Sequence, residues 1–212
     1  MTLHATAQFF ANGSRAFFHR RHIHYKSVKF YLAGLGLAFA FFCFVTFVPN
    51  KIVVFALLGA GPFLPLLLPK KAKFDFTVPG QAFLCGMIVT CFQLTGGVAG
   101  PALDMFFQKI PMTRHQVVAT KAFTQTISHA TKFAYFSLIV SVVTGAQNLL
   151  PAWIYLAVIP VAALGTHIGR FALDRLSDVH FYKATQIVLW SIGIVYLAKA
   201  TALLLDRIQV SL

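Results

Sequence analysis

The stretch Ala119-Thr-Lys-Ala-Phe-Thr-Gln-Thr-Ile-Ser-His-Ala-Thr-Lys-Phe-Ala-Tyr135 decides how the rest of the chain is read. It contains no Gly or Pro and adjoins apolar sequence on its C-terminal side, which predicts a helix. Lys121, Gln125, His129 and Lys132 fall at i, i+4, i+8 and i+11 and so share one face. Thr124, Ser128 and Thr131 widen that polar stripe. In a water-soluble protein this would be an ordinary solvated face. On a helix inside a membrane, two lysines are costly and usually functional. The lysines are eleven residues apart, roughly 16 Å along a helix. That is too short for both to reach opposite headgroup layers across a hydrocarbon core of about 30 Å. A polar path is therefore favoured over snorkelling or helix–helix packing.

The composition sets the surroundings of this helix. The chain has 212 residues, of which 58% are hydrophobic and 11% charged, with 23 Phe. A water-soluble domain is not built this way; the expectation is an all-α, polytopic, single integral membrane domain over residues 1–212. Five acids, all Asp, face 18 Lys and Arg, for a net charge of +13. The basic residues cluster in short segments between apolar runs, as positive-inside loops do, which argues against nucleic acid as a partner. A chain this basic and without Glu suits a small anionic solute better than a metal cation.

The catalytic and metal classes are expected to be empty. Cys43, Cys85 and Cys91 lie in apolar runs without CxxC spacing and read as packing residues. His19, His22 and His24 share a basic loop with no Cys or carboxylate, a weak metal signal. No Ser/His/Asp constellation, HExxH or paired carboxylates appear at helical spacing, so neither an enzyme nor a cofactor is expected. Met1 to Phe18 lacks the basic head of a signal peptide.

Along the chain, His19–Lys26 and Pro69–Asp75 are basic loops expected on the cytoplasmic side, separated by a span over Val28–Val48 and a kinked or marginal one over Ile52–Leu68. Gln81–Leu94 is about half a membrane thick, and Thr95-Gly-Gly-Val-Ala-Gly-Pro101 predicts a broken helix or re-entrant turn. A helix restarting after Gly97, Gly100 and Pro101 would present free N–H groups to an anion; close packing by small residues explains the same glycines equally well. The striped helix should run from about Gln116 to Val143. Leu149–Leu176 and Phe181–Leu205 follow, with Arg170, Asp174, Arg175 and Asp178 pairing locally. The total is six or seven membrane segments, and the charge pattern leaves their orientation open.

The stripe recurs. His4, Gln8, Asn12 and Arg15 repeat the spacing of Lys121, Gln125, His129 and Lys132 at a constant offset of 117 positions. Ala5 then aligns with Ala122 and Phe18 with Tyr135. Chance agreement in a biased composition stays open beside internal duplication. Under duplication, residues 1–68 are the remnant of a first repeat, 69–80 a basic linker and 81–205 the second repeat, with a solute site between the copies. Lys132 and Arg15 would balance an anion's charge. Gln8, Asn12, Thr124 and Gln125 would replace its hydration, and His129 could load a proton. Asp104, the acid nearest the break, could pair with Lys121 or Lys132 or cap its turn.

At these residues the chain resembles the sulfite exporter TauE/SafE family. The resemblance is carried by Gly97-Val-Ala-Gly-Pro-Ala-Leu-Asp-Met-Phe-Phe107, Val118-Ala-Thr-Lys-Ala-Phe-Thr-Gln125, His129, Lys132 and Tyr135-Phe136. His4-Ala-Thr-Ala-Gln8 with Asn12-Gly-Ser-Arg15, and Leu164-Gly-Thr-His-Ile-Gly-Arg-Phe-Ala-Leu-Asp-Arg175, are also similar. The resemblance implies a multi-pass secondary transporter in a bacterial inner membrane, exporting sulfite, an organosulfonate or a related small anion on an ion gradient. Its partners would be the lipid bilayer and that solute, with a homo-oligomer also compatible. Members of the family usually carry further membrane segments ahead of the position of His4. The second expectation is therefore a truncated, non-transporting protein or an accessory subunit.

Overall fold

A computed structural model describes residues 1–63, 74–97, 99–107, 110–145, 149–175 and 178–211, with side chains except at 166, 167, 169–185, 210 and 211. Its regular elements are helical. In chain order they are α1 (Thr2–Phe18), α2 (Tyr25–Val45), α3 (Lys51–Ala60), α4 (Pro79–Thr95), α5 (Gly100–Met105), α6 (Arg114–Ala134), α7 (Ala152–Arg175) and α8 (Asp178–Ser211). The expected pairing among Arg170, Asp174, Arg175 and Asp178 lies outside the described side chains, as does most of the basic loop at 69–75.

The striped helix begins two residues earlier than its apolar pattern implied, because Thr113 and Gln116 form a reciprocal capping box. It continues past Ala134 through a π-helical turn, Tyr135–Val140, to Thr144. There Gly145 takes up a left-handed conformation, φ 63°, and stops it. The π turn presents the Tyr135 hydroxyl to the Phe47 carbonyl at 2.6 Å, tying this helix to the chain that follows α2.

Among the described residues, three helices are long and apolar enough to cross a membrane: Tyr25–Val45, Arg114–Thr144 and Gln186–Gln209. Lys51–Phe63, and the stretch Ala152–Gly165 within α7, are shorter apolar helical stretches. Of the remaining expected segments, α7 is a continuous helix of 24 residues with Pro160 inside it, and two others are short or polar. α4 stops after 17 residues at the glycine break, and α1 carries the polar stripe along its length.

The helices associate in pairs. α2 lies on α4, α1 on α6, α3 on α8, and α1 also touches α7. The α2–α4 contact is a backbone-to-backbone crossing. A Cβ at Gly34 would lie 2.0 Å from the Phe83 carbonyl oxygen, and one at Gly86 would lie 2.1 Å from that of Tyr31. Small residues at such a crossing let van der Waals contact replace the hydrophobic drive that lipid removes. Around it gather Tyr31, Leu35, Cys85, Val89, Leu103 and Phe106. On α7 and α8, Trp153, Leu156, Val161, Ile187 and Val195 are exposed, the pattern of lipid-facing surfaces.

Candidate functional site

α1 and α6 lie antiparallel with their stripes inward. His4 of α1 meets His129 and Lys132 of α6, Gly13 meets Thr126, and beyond the end of α1 His19 stacks on His115. Both helices alternate an apolar face with a strongly polar one, so each can bury its polar stripe only against the other or against the glycine break.

Lys132 lies at the centre of this arrangement. It is 1% exposed. Its Nζ donates to the Gly97 carbonyl at 2.9 Å and stands 3.2 Å from His4 Nδ1. An ammonium has only donors, so that imidazole nitrogen is the acceptor and carries no proton. Gly97 can turn its carbonyl inward because the break between α4 and α5 holds it at φ 76°, where side-chain-bearing residues are strained. Lys132 has no carboxylate partner among the described residues. A buried positive charge met only by neutral lone pairs is an expensive arrangement, and an arriving anion would relieve it.

The neighbouring bonds fix the wall. Gln93 of α4 donates through Nε2 to His129 Nδ1 at 2.8 Å. The His129 ring meets that of His4 edge-on, 5.6 Å between centroids. Tyr31 of α2 and Ser128 of α6 share a hydroxyl–hydroxyl bond of 2.7 Å. Between α1, the α4–α5 break and α6 lies a cavity of about 160 Å³, its polar wall made by His4, Gln8, Gln93, Gln125, Ser128 and His129, with Gly97 and Gly100 at the break. Lys132 is not in that wall; it stands immediately behind His4 and Gly97.

Of the residues singled out in the sequence, Gln8, Gly97, Gly100, Gln125 and His129 are thus brought together around the cavity, and Lys132 backs it. The others go elsewhere. Arg15 is exposed near the C-terminal end of α1. Lys121 forms an ion pair with Asp104, both partly exposed, so its charge already has a partner. Thr124 is buried but returns its hydroxyl to the carbonyls of Thr120 and Lys121. Asn12 is buried and donates to the backbone and side-chain oxygens of Gln8, orienting that amide rather than facing the cavity. Pro101 starts α5 away from the wall. α5 has only six residues, too short for a strong dipole at its N-terminus.

Three polar wall residues, His4, Gln93 and Ser128, lie outside the binding set expected from the sequence. His4 and Ser128 belong to the two stripes. Gln93 is a lone carboxamide in an apolar run shortly before the glycine break, and that position was the signal. The three cysteines are free, Cys85 being buried and the others partly so. No group of three His, Cys, Asp or Glu that could hold a metal ion occurs among the described residues.

Comparison with known proteins gives one match. The model of the family described as sulfite exporter TauE/SafE matches residues 1–196. No curated protein and no solved structure matches the chain.

Proposed function

Given that this chain belongs to the sulfite exporter TauE/SafE family, a family of membrane transporters for sulfite or related anions, we propose that it is a secondary transporter. It exports a small anion, sulfite or an organosulfonate, across a bacterial inner membrane. The solute occupies the cavity between α1, the α4–α5 break and α6, and Lys132 supplies the balancing charge from behind His4 and Gly97. The observation that carries this reading is the burial of the Lys132 ammonium against a carbonyl and an imidazole. In a membrane interior such a group is normally functional.

We further propose that α1 and α6 are equivalent members of an inverted repeat. An antiparallel pair related by a two-fold axis brings the start of one stripe against the end of the other. His4, equivalent to Lys121, would then meet Lys132, equivalent to Arg15. The His4–Lys132 contact supports this pairing, and inverted repeats place solutes at such interfaces.

The test is efflux of labelled sulfite from proteoliposomes containing the full chain, compared with Lys132→Met and Lys132→Arg. Wild-type efflux should fall about tenfold or more in Lys132→Met, the equivalent of about 1.4 kcal/mol, and recover in part with the retained charge of Arg. Equal efflux in all three would remove Lys132 from the site. No efflux from the unaltered chain would favour an accessory or truncated protein.

A further inference from the structure

A second cluster of unbalanced charge lies far from the cavity. The short 3₁₀ turn Arg20–His22, between α1 and α2, folds against the first turn of α6. His19 stacks on His115 with centroids 6.2 Å apart, and His22 lies 5.4 Å from the same ring. The junction is pinned by the His24 amide, which donates to Thr120 Oγ1 at 3.0 Å. Arg20, Arg21 and Arg114 are exposed beside these rings. The first acid in the chain is Asp75, and the ion pair that the described residues form, Lys121–Asp104, lies further along α6.

The depth of this cluster is set by its neighbours. α2 and α6 are both long and apolar enough to cross a membrane, and both begin here, at Tyr25 and Arg114. The cluster therefore sits at the headgroup level of one leaflet. Tyr25 is exposed beside it, as tyrosines are at a membrane–water boundary, and Phe17 and Phe18 add exposed apolar surface. The Arg20 guanidinium is held in place: it lies 4.6 Å from the centre of the Phe17 ring and donates through Nη1 to the Phe17 carbonyl at 3.2 Å.

We propose that this junction is a binding site for the phosphate headgroup of an anionic phospholipid of that leaflet. A diester phosphate offers the acceptor geometry that guanidinium groups match. Its acyl chains would run beside Phe17, Phe18 and Tyr25 while its charge offsets three arginines that form no ion pair among the described residues. Free phosphate satisfies the headgroup contacts alone and makes no use of the exposed aromatics. The bound lipid would clamp the α1–α2 turn to α6, independently of whether the chain transports anything.

The test is lipid retention on the purified full chain, read by native mass spectrometry after addition of phosphatidylglycerol, phosphatidylcholine or inorganic phosphate. Phosphatidylglycerol should be retained in preference to phosphatidylcholine and should resist millimolar phosphate. Arg20→Gln/Arg21→Gln should weaken its retention about 30-fold, about fivefold for each charge lost near the surface. Lys51→Gln, removing an exposed cation elsewhere, should leave it unchanged. Equal retention of the two lipids, displacement by inorganic phosphate, or an equal loss in Lys51→Gln would each overturn the proposal. The comparison of the two lipids on the unaltered chain decides the matter even where the double variant does not fold.

Discussion

The α2–α4 pair and the α1–α6 pair solve the same problem, holding two helices together in lipid, by opposite means. At α2–α4 the side chains withdraw: Gly34 and Gly86 let the backbones touch, and there is no room for another carbon. At α1–α6 the side chains advance, and histidine, glutamine, serine and lysine fill the space between the helices. A glycine crossing stabilises by contact alone and has nothing to offer a solute. A polar interface adds only modestly as an adhesive, since interhelical hydrogen bonds in membranes contribute about 0.6–2 kcal/mol each. Apart from the lysine, its residues face a cavity instead. Under the proposed function, the pair that holds the fold is separate from the pair that binds the solute.

The sharpest way to break this comparison is to crowd the crossing. Gly86→Leu places four carbons where even one lies 2.1 Å from the Tyr31 carbonyl. The expected cost is about 3 kcal/mol or more, read as loss of the monodisperse species on size-exclusion chromatography. Next in size is Gln93→Leu, which removes the partner of His129 Nδ1 and leaves a buried acceptor unpaired, at about 1–3 kcal/mol. Thermal denaturation in detergent should detect it, and efflux should fall further than stability does. A preparation as stable as wild type would mean that water already serves His129.

Gly97→Ala sharpens the comparison at the break. The strain of φ 76° costs about 1–2 kcal/mol. The added methyl would also stand 3.1 Å from Lys132 Nζ, so the amine must shift and anion efflux should drop although the charge remains. The smallest effect is expected from Lys121→Met. Its ion pair with Asp104 is partly exposed, and such pairs contribute about 1 kcal/mol or less. Near-normal melting and efflux are expected; a loss as large as that of Lys132→Met would return Lys121 to the site.

The stripe was legible because helical periodicity depends on sequence alone: four polar positions on one face, twice over, identify the two helices that meet. The break between α4 and α5 was legible from composition. What could not be read was the destination of each polar side chain. Lys121 and Lys132 are equivalent in the pattern, yet one turns to Asp104 and the other is buried against Gly97, and that difference is set by α4 and α5. Thr124 looked like a solvating group, but a threonine inside a helix can satisfy itself on the preceding turn. Arg15 falls near the helix end, where a long side chain reaches water. Six or seven spans were expected from apolar runs; three described helices are long and apolar enough to cross, α4 is cut short at the glycine break, and α7 runs on through Pro160.

The central claim is that the stripes of α1 and α6 face a compartment that a small anion enters. In a chain with Cys43, Cys85 and Cys91 replaced by Ser or Ala, single cysteines at Gln8 and Gln125 can be titrated with a membrane-impermeant, sulfonate-bearing thiol reagent. The account predicts that both positions react, that millimolar methanesulfonate, an organosulfonate inert to the reagent, slows both, and that a cysteine at the exposed apolar position Leu138 does not respond to it. Reaction rates at Gln8 and Gln125 that ignore methanesulfonate, or no reaction at either, would contradict it.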